Sequence, residues 1–132
     1  MAGLAAILTA LVAGLILSAL PAHAANTGFS VSGGHIYDAN GNVFIPQGIN
    51  DPYQWYPNET SSFADIRAAG ANTVRVVLSG GRYGTTSATD VASVIASCKQ
   101  NDLVCILEDH DTTGYGDDTS AYSLATAAQY WV

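Results

Sequence analysis

The stretch Thr73-Val74-Arg75-Val76-Val77-Leu78, then Val91, Val94, Ile95 and Cys98, then Leu103-Val104-Cys105-Ile106-Leu107-Glu108 decides the fold. The outer segments are short, apolar and rich in β-branched residues, as strands are. The middle one repeats at i, i+3, i+4 and i+7, the period of a half-buried helix. Strand, helix and strand within about 30 residues make a βαβ unit, whose strands are parallel and whose crossover is right-handed. Working backward, Gln47–Asn50 predicts an earlier strand. A helix follows from about Ser61, with Phe63, Ile66 and Ala69 on one face and Gly70 ending it. Working forward, Leu124, Ala127, Ala128 and Trp131 predict a third helix from about Ser120, still apolar-periodic at Val132. Three strand–helix units in a row predict an α/β domain with a parallel sheet. A small β-hairpin is expected before them, with His35-Ile36-Tyr37 meeting Val43-Phe44-Ile45 across Asn40-Gly41.

Gly3–Leu20 is almost wholly apolar and uncharged, Pro21 breaks the run, and Ala22-His23-Ala24 has a small-x-small cleavage pattern. Residues 1–24 therefore read as a secretory signal, and 25–132 as one domain of an extracellular protein. In that setting the two cysteines, Cys98 and Cys105, are a disulfide candidate, joining a helix end to the next strand. Two buried thiols are the alternative. With 4 basic and 11 acidic residues the net charge is −7, which leaves no basic stripe for nucleic acid or an anionic membrane. Such a balance suits a neutral substrate.

In parallel α/β folds the chemistry sits at the carboxyl ends of the strands, here Asn50–Tyr56, Ser79–Thr86 and Glu108–Gly116. Arg75 lies mid-strand, on the face opposite the one turned to the helices. Two readings stand side by side: a structural ion pair with Glu108, or an orienting partner for a catalytic carboxylate. Glu108-Asp109-His110-Asp111 is a weak metal signal, since neighbours on a strand point to opposite faces. His110 can instead bond a ligand hydroxyl or satisfy loop backbone. Asp117 and Asp118 read as caps and solvated loop residues. Tyr53, Trp55, Tyr56 and Tyr115 join flat faces to polar tips, which suits sugar rings as well as loop packing. No glycine-rich phosphate loop follows the first strand, which argues against a small stand-alone doubly wound α/β domain.

Five motifs occur here in a familiar order: Phe29-Ser30-Val31-Ser32-Gly33, Tyr37-Asp38-Ala39-Asn40-Gly41-Asn42, Gln47-Gly48-Ile49-Asn50, Gly70 through Leu78, and His110-Asp111-Thr112-Thr113-Gly114-Tyr115-Gly116. Together they resemble the amino-terminal part of secreted bacterial β-mannanases of glycoside hydrolase family five. The resemblance implies the first three strand–helix units of a (β/α)8 TIM barrel, an incomplete barrel in this chain. It also implies retaining hydrolysis of a β-1,4-linked polysaccharide, mannan above all, with no cofactor and no metal. By the same resemblance Arg75 orients the nucleophile, His110 lines the subsite where the bond is cut, and Asn50, Trp55 and Tyr115 line the sugar cleft. The two catalytic glutamates of relatives follow their fourth and seventh strands. This chain holds only Glu59 and Glu108, at neither position, and is expected to be inactive alone. Asp51-Pro52-Tyr53 stands where relatives usually carry histidines, and Asp109 where they carry an apolar residue. An endoglucanase of the same family and a non-catalytic carbohydrate-binding module are the alternatives.

Overall fold

A computed structural model describes residues 28–132, so the signal-like residues 1–24 lie outside the described residues. The chain divides into two units, with the boundary after Phe44. The described part of the first is a three-stranded antiparallel sheet: β1 (Ser30–Ser32), β2 (His35–Tyr37) and β3 (Val43–Phe44), in that order. The expected β2–β3 hairpin is present, with Ile36 opposite Phe44 and Tyr37 opposite Val43. Asp38 builds its turn, its Oδ1 accepting the N–H groups of Asn40 and Asn42 at 2.9 Å each. Those bonds hold the Asp38 carboxyl below its usual range, the Asn42 N–H most of all. β1 falls where Phe29 and Val31 alternate with polar residues, as a strand of the hairpin element should. It pairs with β2 across Gly33-Gly34, and Phe29 packs on Phe44 with ring centroids 4.9 Å apart.

The second unit is the parallel sheet. β4 (Gly48–Asp51), β5 (Thr73–Leu78) and β8 (Val104–Asp109) lie in chain order. α1 (Ser62–Ala68) and α2 (Ala88–Gln100) are the crossovers. β4 and β8 each start one residue later than the sequence suggests. Side chains on β5 alternate as expected, and Val74, Val76 and Leu78 are fully buried against Phe63, Ile66, Val94, Cys98 and Leu103. Burying each such side chain contributes about 1.5–3 kcal/mol. Gly48 is where β4 meets β5 most closely: a Cβ there would stand 1.8 Å from the Thr73 carbonyl oxygen. Asn72 ties the lower ends of the strands. Its Oδ1 accepts from Gln47 N at 2.8 Å, its Nδ2 donates to Ile45 O, and its carbonyl accepts from Val104 N.

α2 begins with a capping box in which Ser87 and Asp90 bond each other's backbone N–H. The Ser87 hydroxyl and N–H hold the Asp90 carboxyl below its usual range. At the other end of α2, buried Cys98 and half-buried Cys105 are neighbours across the α2–β8 turn, as the disulfide expectation requires. Both are free thiols here, and the neighbouring Cys98 thiol together with burial raises the Cys105 thiol above its ordinary range.

The loop between β5 and α2 folds into a two-stranded ribbon, β6 (Gly80–Gly81) and β7 (Gly84–Thr85). The third helix departs from expectation. α3 spans only Leu124–Ala128, capped by Ser123, and tightens into a 3-10 turn at Gln129–Trp131. Of the expected stripe only Ala127 is buried; Leu124 and Trp131 are exposed. A 3-10 turn eclipses i and i+3, so Tyr130 rather than Trp131 follows Ala127 inward. There its hydroxyl donates to Thr86 O at 3.0 Å.

Candidate functional site

Alternation along the parallel strands turns one row of polar side chains away from the helices. Asn50 on β4 is in register with Arg75 on β5, and Arg75 with Ile106 on β8, two residues before Glu108. Arg75 donates to Asn50 Oδ1 at 3.3 Å and pairs with Glu108 Oε2 at 3.1 Å. Glu108 also receives His110, whose Nδ1 lies 3.1 Å from Oε1 and 3.3 Å from Oε2. The structural pairing of Arg75 with Glu108 is thus present. It leaves part of the guanidinium fork free, because five N–H donors cannot be filled by these two partners. Since an ionised carboxylate only accepts, a neutral His110 facing Glu108 carries its proton on Nδ1 and leaves Nε2 as the acceptor.

Above this row lie three rings from three successive strand ends. Trp55 stands 5.3 Å from Tyr83 and 5.7 Å from His110, centroid to centroid, and Tyr83 stands 6.0 Å from His110. Gln54 fixes the Trp55 loop, its N–H donating to Val77 O at 3.0 Å and its side-chain amide to Tyr83 O at 2.9 Å. Of the residues singled out in the sequence, Asn50, Arg75, His110 and Trp55 come together here. Tyr115 does not join them: it is exposed on the loop beyond the 3-10 turn His110–Thr112. Tyr83 was missed. Only its place in the loop after β5 pointed to it.

Asp109, at the end of β8, and Asp111, in the 3-10 turn after it, both bond the loop that follows β5. Asp111 is fully buried, accepting Ser79 Oγ at 2.5 Å and Arg82 N at 3.2 Å. Arg82 reaches across to the β8 loop, donating to Thr113 O at 2.6 Å, Asp111 O at 3.3 Å and Ser120 Oγ at 2.8 Å, and pairing with Asp118. Asp118 is therefore an anchor, beyond the capping role its sequence suggests. Bonds from Ser120, backbone first, and the Arg82 charge hold its carboxyl below the usual range.

Asp109 Oδ1 accepts Gly80 N at 3.2 Å and Asp111 N at 3.3 Å, whereas Oδ2 is buried without a partner. Burial pushes this carboxyl above its ordinary value of 3.8. A folded-state value above the unfolded one means that its contribution to stability is full at lower pH. It is lost as pH rises through the folded value. Resistance to urea should therefore decline through the acidic range, and Asp109→Asn, neutral throughout, should remove that part of the decline. An unchanged pH profile in the variant would refute the assignment.

Comparison with known proteins places this geometry in context. The family description "Cellulase (glycosyl hydrolase family 5)" matches residues 37–131. A mannan endo-1,4-beta-mannosidase of Streptomyces lividans is 54% identical over 116 residues, covering 87% of this chain and 30% of that protein. One from Cellvibrio japonicus is 50% identical over 127 residues, covering 95% of this chain and 28% of its own length. The crystal structure of a beta-mannanase from Streptomyces thermolilacinus with mannohexaose superposes with a TM-score of 0.78 at 53% identity, over 80% of this chain and 35% of that one. The chain thus spans about a third or less of the length of these relatives.

Proposed function

The chain belongs to glycosyl hydrolase family 5, and from that premise we propose that it forms one wall of the cleft of an enzyme hydrolysing β-1,4-linked mannan. β4, β5 and β8 with their helices are the first three strand–helix units of the family's (β/α)8 barrel. The observation that carries the reading is the row Asn50–Arg75–Glu108–His110 under Trp55, at the strand ends where such barrels bind substrate. Retaining hydrolysis needs a nucleophile and an acid/base carboxyl about 5–5.5 Å apart. Glu108 is engaged by Arg75 and His110, and Glu59 lies in an exposed turn, so we place that pair on later strands. Arg75 then offers its free N–H groups to the nucleophile, holding it ionised and aimed. His110 Nε2 accepts from a sugar hydroxyl, Asn50 steadies the guanidinium, and Trp55 meets a sugar face. Tyr115, out on its loop, reaches the more distant sugars. Arg75 and Glu108 offset each other in charge, which favours a neutral ligand such as mannan over an anionic one.

Protein-observed NMR titration with mannohexaose and cellohexaose tests the substrate class. Mannohexaose should perturb the Trp55 indole and the His110 ring at concentrations where cellohexaose does not. An equal response to cellohexaose would reassign the site to glucan. No response to either sugar would remove the carbohydrate reading.

A further inference from the structure

We infer that Tyr83 is a further sugar-binding residue of this cleft, an inference that rests on the carbohydrate reading above and extends it. The β6–β7 ribbon carries Arg82 and Tyr83 at its tip, and the Arg82 guanidinium carbon lies over the Tyr83 ring, 4.9 Å from its centroid. Arg82 turns in, its side chain 10% exposed, and is held by backbone carbonyls, Ser120 and Asp118 from the β8 loop. Tyr83 turns out and stays 36% exposed.

Its backbone is pinned on both sides. The N–H donates to Ser79 Oγ at 3.1 Å, and the carbonyl accepts the Gln54 amide at 2.9 Å. Ser79 is itself fully buried and bonded to Asp111. Little is left to move but the two side-chain torsions, and the ring leans on Trp55 and His110. A buried charged clamp that serves to hold an exposed aromatic ring in place is preorganisation, which lowers the ordering cost of binding.

The rings of Trp55, Tyr83 and His110 then form a stepped surface beside the polar row of Asn50, Arg75 and Glu108. A pyranose ring has the matching chemistry. Its axial C–H face lies against flat rings while its hydroxyl edge bonds polar groups, and the Tyr83 hydroxyl supplies a polar tip of its own.

The test is titration of the full chain and its variants with mannohexaose. Cross-relaxation should link the Tyr83 ring protons to sugar C–H protons. Tyr83→Phe keeps the flat face and should bind within about twofold of the unaltered chain. Tyr83→Leu fills the space without that face and should bind about tenfold more weakly, the scale of one aromatic contact. Tyr83→Ala should fall at least as far, and Trp55→Ala serves as the reference loss. If mannohexaose binds and Trp55→Ala weakens it, but Tyr83→Leu does not or no cross-relaxation reaches Tyr83, the inference is overturned while the carbohydrate reading stands. If the unaltered chain binds no mannohexaose, the carbohydrate reading falls and takes this inference with it.

Discussion

Purified residues 25–132 given β-1,4-mannan will release no reducing ends above the buffer rate. A retaining glycosidase needs two carboxyl groups facing one another across the scissile bond. General acid–base assistance alone is worth about 10²–10⁴ in rate, and the nucleophile is a separate requirement. The carboxylates of the second unit are already engaged or turned elsewhere. Glu108 is shared between Arg75 and His110. Asp109 and Asp111 bond the backbone of the loop that follows β5. Asp51 is buried and receives Ser62 Oγ at 2.6 Å. Asp117 and Glu59 are exposed in loops. Sugar binding without cutting is the expected behaviour, so binding and turnover must be measured on the same preparation. Sustained release of mannooligosaccharides, abolished by Glu108→Gln, would refute this and make Glu108 a catalytic carboxylate.

What could be read from the sequence and what could not divide along a physical line. The β5 strand was legible residue by residue because a strand has period two. Val74, Val76 and Leu78 had to share one face, and Arg75 had to lie on the other with Asn50 and Glu108. Gly70 at the end of α1 was legible for a similar local reason: its φ of 92° is one that other residues rarely adopt. The polar row followed from that alternation, and the roles proposed for Arg75 and His110 rest on ordered motifs.

The β6–β7 ribbon was not legible. Its residues carry no periodicity, and Arg82 and Tyr83 acquire meaning only through partners about thirty residues away, such as Thr113, Asp118 and His110. The apolar stripe assigned to the third helix failed for the opposite reason. Leu124 to Trp131 has helical spacing, yet the last turn tightens to 3-10, and the stripe rotates off Trp131 and onto Tyr130. Local patterning cannot register a change of helix type that goes with the packing of Tyr130 over Gly80 and its bond to Thr86 O.

The ribbon's dependence on one carboxylate yields the largest stability effect. Asp111→Ala should lower resistance to unfolding by about 3 kcal/mol, since each buried donor left unpaired costs about 1–3 kcal/mol. Two donors would be stranded at once: the Ser79 hydroxyl, in a fully buried residue, and the Arg82 N–H. Ser79 Oγ in turn accepts from Gly81 N and Tyr83 N, so its loss of position spreads along the ribbon. Amide exchange at Gly81, Arg82 and Tyr83 should therefore accelerate by about a hundredfold, the equivalent of that free energy at about 1.4 kcal/mol per tenfold, while the β5 amides change less. Asp111→Asn keeps one acceptor but turns an amide donor toward a donor, and should fall between the two. The same variants should blunt mannohexaose binding, because Tyr83 loses the support that holds its ring against Trp55. If Asp111→Ala leaves exchange at Gly81, Arg82 and Tyr83 unchanged, the ribbon is held by its own two strands. Tyr83 would then reach the sugar without a clamp from Asp111.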